Sequence, residues 1–122
     1  MESILTSIKN LLGITEEYEH FDQSIIMHIN STFSILKKIG VGPSTGFSIS
    51  DKYAVWTEFL SEEDENFHDV KSYMHAKVKL LWDPPANASH LQALKETIKE
   101  FEWRMNFTAD IPVEEEVSED GQ

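Results

Sequence analysis

Cysteine is absent from this 122-residue chain. No disulfide framework or thiolate metal site can be built from it, and the absence selects no redox compartment. Cations are scarce as well: ten Lys and Arg face 22 Asp and Glu, a formal net charge of −12 with a sequence pI near 4.7. The basic footprint that wraps nucleic acid is therefore missing, and an anionic membrane surface would repel the chain. Long apolar runs are missing too; none approaches the ~20 residues that span a bilayer. Met1-Glu2-Ser3 puts no cationic stretch ahead of an apolar segment. A signal peptide is thus not expected, and a soluble protein made in the cytoplasm is. What is present is an ordinary globular composition, 40% hydrophobic and 11% aromatic, at a length that suits one domain with one core.

Helical period organises four segments. Ile4, Leu5, Ile8, Leu11 and Leu12 recur at three- and four-residue steps, and Gly13 follows as a helix stop. Asp22 is the expected N-cap of a second helix. Its stripe is Ile25, Ile29, Phe33 and Leu36, widened by Ile26, Met27, Ile35 and Ile39, with Lys37, Lys38 and Gly40 closing it. "VGPSTGFSIS", Val41 to Ser50, is a long loop in which "GFSIS" alternates like an extended segment. "DKYAVWTEFL" has room for one or two helical turns. A third helix sets Phe67, Val70, Met74, Val78 and Leu81 on one stripe, beside Tyr73, Ala76 and Leu80. Asp83-Pro84-Pro85 ends it, because a residue before proline is pushed out of the α region.

The fourth helix carries the clearest pattern. Ser89 and Gln92 fit a capping box, and Leu91, Leu94, Ile98, Phe101 and Met105 step as an a/d seam. Periodicity fades from Phe107. "IPVEEEVSEDGQ" carries Glu114, Glu115, Glu116, Glu119 and Asp120; setting those five aside leaves −12 + 5 = −7, so the remainder is acidic too. The expected fold is all-α: a small bundle of about four helices over residues 1–106, with loop 41–50 inserted as an extended arm. Residues 107–122 form a flexible acidic tail in this reading.

No catalytic constellation emerges. A phosphate loop needs G-x-x-x-x-G-K-[ST] between a strand and a helix, so that backbone amides and a lysine share the phosphate charge. Here Gly42 and Gly46 are followed by Phe47 and Ser48, a helix precedes them, and the next lysine is Lys52. His68 and His75 lie a heptad apart and could share a helix face, but no H-E-x-x-H pair exists, and His20, His28 and His90 stand alone. Glu16-Glu17 and Glu62-Glu63-Asp64-Glu65 sit where helix starts favour acids. No serine occupies a nucleophile elbow. No enzyme, cofactor or metal is therefore expected.

Aromatic and apolar residues outside the stripes can each be read as core, and taken together they suggest surfaces for another chain. Trp103 lies roughly opposite the seam of the fourth helix, Phe47 and Trp56 sit in or beside the long loop, and Phe107, Ile111 and Val113 fall in the tail. Gly42, Pro43 and Gly46 would shape the loop that presents them.

"SILTSIKNLLGITEEYEHFD", "IIMHINSTFSILKKIGVGPSTGFSISD" and "VKSYMHAKVKLLWDPP" together resemble small proteins encoded in phages and prophages of Gram-positive bacteria, between capsid and tail genes. That group is similar to the head–tail connector, or head-completion adaptor, proteins of long-tailed phages. The resemblance implies a virion neck protein made in the host cytoplasm. It implies a homo-oligomeric ring matching the portal's twelvefold symmetry, docked on the portal on one side and on a stopper or tail-completion protein on the other. In relatives a long loop and a C-terminal arm reach neighbouring subunits or the portal, which here corresponds to residues 41–50 and 107–122. DNA would pass through the bore without specific binding, and a negative field repeated around the ring suits that passage. An alternative reading is an acidic DNA mimic that inhibits a DNA-binding or defence enzyme; it would need carboxylates spaced like phosphates along one face, whereas the acids here cluster at helix starts and in the tail.

Overall fold

Ser3 opens the first helix. With φ −69° and ψ 136° it accepts from the Thr6 amide (3.1 Å) and donates its own hydroxyl to the Lys52 carbonyl (2.7 Å), so the cap also ties the N-terminus to a distant loop. The structure, a computed structural model, describes residues 2–109. Five helices follow in order: α1 (Ile4–Leu11), α2 (Asp22–Ile39), α3 (Trp56–Phe59), α4 (Phe67–Trp82) and α5 (Ala88–Ala109). Among the described residues the only sheet-like pairing is an isolated bridge between Ser3 and Val55. The all-α expectation holds, and the segment given one or two helical turns is the single turn α3.

The core is centred on α2 and α4. Ile25, Ile29, Phe33 and Leu36 of α2 meet Val70, Tyr73, Met74 and Val78 of α4, each no more than 1% exposed. Ile4, Leu5 and Ile8 of α1 close one side. At the periphery, α5 buries only Ile98 and Met105, while Leu94 and Phe101 lie half covered. A 22-residue helix held by so narrow a stripe leaves most of its surface free.

Helix ends follow the local chemistry, with two corrections. Gly40 takes φ 101°, and the Val41 amide reaches back to the Leu36 carbonyl (2.9 Å) while Val41 packs into the core beside it. This is a Schellman closure, and a left-handed residue is what it requires. Asp22, expected as N-cap, is instead the first residue of α2, after Phe21. The Lys9 ammonium draws its carboxylate away from the cap position, at 2.8 Å. Likewise Ser89 and Gln92 form no capping box. Asn87 Oδ1 accepts from the Ser89 and His90 amides (2.8 and 3.1 Å), so the helix starts two residues earlier, and Gln92 turns forward to Glu96 (3.2 Å).

Loop 41–50 lies on the bundle. Val41 and Ile49 are buried, and Phe47 packs against Phe33 and Phe59 at ring-centroid distances of 5.0 and 5.4 Å. Asn30 on α2 treats Ile49 as a strand partner would: its Oδ1 accepts from the Ile49 amide (2.8 Å) and its Nδ2 donates to the Ile49 carbonyl (2.9 Å). The alternating "GFSIS" is thus extended, paired by a side chain rather than by a strand. Gly42 has φ 92° and the Phe59 ring lies where a Cβ would go, 2.6 Å from Cζ, so glycine is demanded there twice over.

Lys9 is the least expected core residue. Only 2% exposed, its ammonium donates to the Glu16 and Tyr18 carbonyls (3.0 and 2.7 Å) and pairs with Asp22. Two hydrogen bonds and an adjacent carboxylate are what make burial of the charge tolerable. The effect is to staple the acidic loop 14–21 to α1.

Candidate protein-interaction surface

The residues singled out for contact with other chains separate into two groups. Trp56 is a core residue, 2% exposed, with its indole N–H donated to Ser7 Oγ (2.9 Å). It opens α3, and that one turn rolls its ring inward against α1 and Phe33. Phe47 is half-buried in the Phe33–Phe59 cluster. Neither is a free anchor in the folded chain: α3 turns Trp56 inward, and Phe47 lies in a loop held down by Asn30 and by the burial of Val41 and Ile49. Only its tip stays outward. Gly46 donates to the Pro43 carbonyl (3.0 Å) in a tight turn that exposes Ser44 and Thr45, with Gly42 at its buried root.

Trp103 and Phe107 are placed otherwise. Both are 69% exposed, and they stack on one another at 5.6 Å with their planes 13° apart. Their spacing of four residues puts them one above the other on the side of α5 that faces away from Ile98 and Met105. The helix runs to Ala109, so Phe107 lies on α5. Ile111 and Val113 lie outside the described residues.

The bond between α4 and α5 sets the orientation of this aromatic pair. Tyr73 is fully buried and donates its hydroxyl to Glu102 Oε2 (2.7 Å), with the Lys77 ammonium 3.8 Å from the same oxygen. Burial first, and then the bond to Glu102 and its charge, push the Tyr73 hydroxyl well above its ordinary value, so it stays a donor. On the outer edge Arg104 joins Glu100 (2.8 Å) and Asp69 (3.5 Å), bridging the two helices. Between α1, α4 and α5 an apolar groove is lined by Leu11, His75, Ala76, Leu94 and Phe101. His75 is held below its ordinary value by burial and by Lys79, against a hydrogen bond to the Leu11 carbonyl. Among the described residues no group of three or more His, Asp or Glu is placed to hold a metal ion, and no helix is long and apolar enough to cross a membrane. His68 is exposed and rests edge-on to Phe67, so the two heptad-spaced histidines do not meet.

Sequence reasoning passed over Lys9, Asn30, Tyr73–Glu102 and the aromatics of loop 14–21. One signal existed for Lys9: it falls between Leu5 and Leu12 on the apolar arc of α1, directly before an acidic loop.

The described residues thus form a small helical bundle that leaves one stacked aromatic pair exposed on its last helix. The family described as "Phage connector protein" matches residues 4–111, and the chain belongs to that family. It is therefore a phage connector, a component that associates with other virion proteins. No curated protein and no solved structure matches the chain.

Proposed function

We propose that the chain is a head–tail connector, or head-completion adaptor, which assembles as a ring beneath the portal and joins capsid to tail. One face meets the portal, the other a stopper or tail-completion protein, and DNA crosses the bore without being gripped. The observation that carries this reading is the family match over nearly the whole folded part. It is supported by the Trp103–Phe107 stack, a large apolar surface left uncovered on a rigid helix. The net charge of −12, repeated around a ring, provides a field that keeps phosphates from sticking. The protein works by fitting against copies of itself and other neck components, with no chemical step. The loop tip at Pro43 to Gly46 is a second contact element on this reading.

The test is a double substitution, Trp103→Ala with Phe107→Ala. Both side chains are mostly solvent-exposed, so the melting temperature should stay within a few degrees of the parent, surface changes being within roughly 0.5 kcal/mol each. Ring formation, or co-assembly with the portal protein, should be lost by at least tenfold in apparent affinity. Unimpaired assembly of a folded double variant contradicts the assignment of this face.

A further inference from the structure

The loop between α1 and α2 and the last turn of α4 build a second aromatic surface, at a different place from the Trp103–Phe107 stack. Phe21 stands edge-on to Trp82 (5.3 Å), and Tyr18 and His20 meet Phe21 at 5.7 and 4.8 Å. Tyr18 is 50% exposed, Phe21 37%, and Leu81, beside Trp82 in the chain, 44%. Exposed aromatics on a loop ordinarily gain nothing from being held still. Here they are held: Lys9 binds the carbonyls of Glu16 and Tyr18 and the carboxylate of Asp22, fixing the loop at three points from beneath. The ordering that docking requires is therefore complete before any partner arrives. The border is acidic. Glu16, Glu17, Glu19 and Asp83, which flank Tyr18, His20 and Trp82 in the chain, are exposed; of the cations, Lys79 is engaged by Asp83, Lys9 is buried, and Lys52 shares a separate hollow with Glu19 and Asp22.

We propose that this platform, Tyr18–Phe21–Trp82 within its carboxylate border, docks a different protein whose contact segment carries aliphatic side chains flanked by Lys or Arg. Charge selects the occupant. A second copy presenting the same surface sets Glu16, Glu17 and Glu19 against themselves, and one presenting another face, as a ring neighbour does, still brings a chain of net charge −12 against them. A cationic partner instead lowers the self-repulsion of the border and is steered to it. This rests on the reading of the chain as an assembly component and adds the chemistry of one partner. Its test uses the isolated chain, so failure here leaves the ring proposal to be judged by its own experiment.

The probes are three synthetic peptides titrated into nitrogen-15-labelled protein: Lys-Arg-Leu-Ile-Leu-Arg-Lys, its Glu-flanked counterpart Glu-Glu-Leu-Ile-Leu-Glu-Glu, and Lys-Arg-Ser-Gly-Ser-Arg-Lys. The cationic apolar peptide should shift the Trp82 indole N–H and the amides of residues 16–21, with an affinity about tenfold above either control. The response should weaken when salt is raised well beyond ~0.15 M. Phe21→Ala should abolish it. Glu16→Gln with Glu17→Gln and Glu19→Gln, exposed changes that leave the fold intact, should erase the preference for the cationic peptide. The proposal is overturned by equal binding of the anionic apolar peptide, or by shifts that map to Glu62–Glu65 instead. Concentration-dependent shifts at Trp82 without peptide would overturn it too, since the occupant would then be a second copy.

Discussion

Replacing Lys9 by methionine keeps the length of the stem and removes the ammonium. In the folded chain that group donates to two loop carbonyls (3.0 and 2.7 Å) and lies 2.8 Å from Asp22 Oδ1 as its ion-pair partner, while being 2% exposed. Taking away one partner of a buried ion pair costs ~3–5 kcal/mol, because the other charge is left desolvated. Asp22 keeps 18% of its side chain in contact with solvent, and the two carbonyls sit in an exposed loop, so water can replace part of what is lost. The expected loss is therefore about 2–3 kcal/mol. For a chain of this length a kilocalorie moves the midpoint by roughly 3–6 °C, which puts the drop near 10 °C. Far-UV circular dichroism melts at neutral pH of Lys9→Met, Asp22→Asn and the double variant form a cycle, whose coupling should be about 1 kcal/mol or more. The Trp82 indole N–H resonance should report loosening of loop 14–21 in Lys9→Met below the global transition. A Lys9→Met variant within ~0.5 kcal/mol of the parent, or a cycle with no coupling, refutes the staple.

Three further substitutions probe other parts of the same argument. Gly42→Ala forces a left-handed residue to carry a Cβ into the Phe59 ring and should cost about 2 kcal/mol or more in urea unfolding; a neutral result contradicts the close approach. Asn30→Ala leaves the Ile49 amide and carbonyl without their partner and should cost ~2 kcal/mol, with faster amide exchange over residues 47–49; unchanged exchange there means the loop is held by something else. His75 is depressed below its ordinary value by burial, so the unfolded chain binds the proton more readily. Its contribution to stability is present above that ordinary value of 6.5 and is lost as the pH falls through the window beneath it. His75→Gln should therefore flatten the decline in melting temperature between about pH 7 and 5.5, and an unaltered slope assigns the decline to other groups.

Much of the fold was legible because the apolar stripes of α2 and α4 are long and their stops are unambiguous. Gly40 stops α2 and Asp83-Pro84-Pro85 stops α4 as expected, while the Val41–Leu36 closure at the first of these is seen only in the structure. Trp103 was likewise placed on the outside by its angle from Ile98 and Met105. Periodicity tells which face is covered and says nothing of what covers it, and that is where expectation and structure part. That loop 41–50 is an extended arm is what the resemblance implies; Asn30, nineteen residues before Ile49 and polar, holds it down through bonds that no local pattern announces. Trp56 reads as an exposed loop aromatic until a single helical turn rolls it against α1. Asp22 reads as a cap, and beyond its place on the apolar arc of α1 nothing in the local pattern singles out Lys9; only their meeting across the α1–α2 loop takes them out of water. At the start of α5 two residues compete for the cap, and Asn87, directly ahead of the first helical residue, takes it from Ser89.

The central claim is that this protein acts by assembly, in the neck of a virion. Imaging purified particles of the phage that carries this chain by electron cryomicroscopy tests it most directly. The account predicts a ring of helical bundles between portal and tail, with α5 and its Trp103–Phe107 stack at a protein contact and the acidic faces toward the DNA path. Infectious particles whose neck contains none of this chain would contradict it.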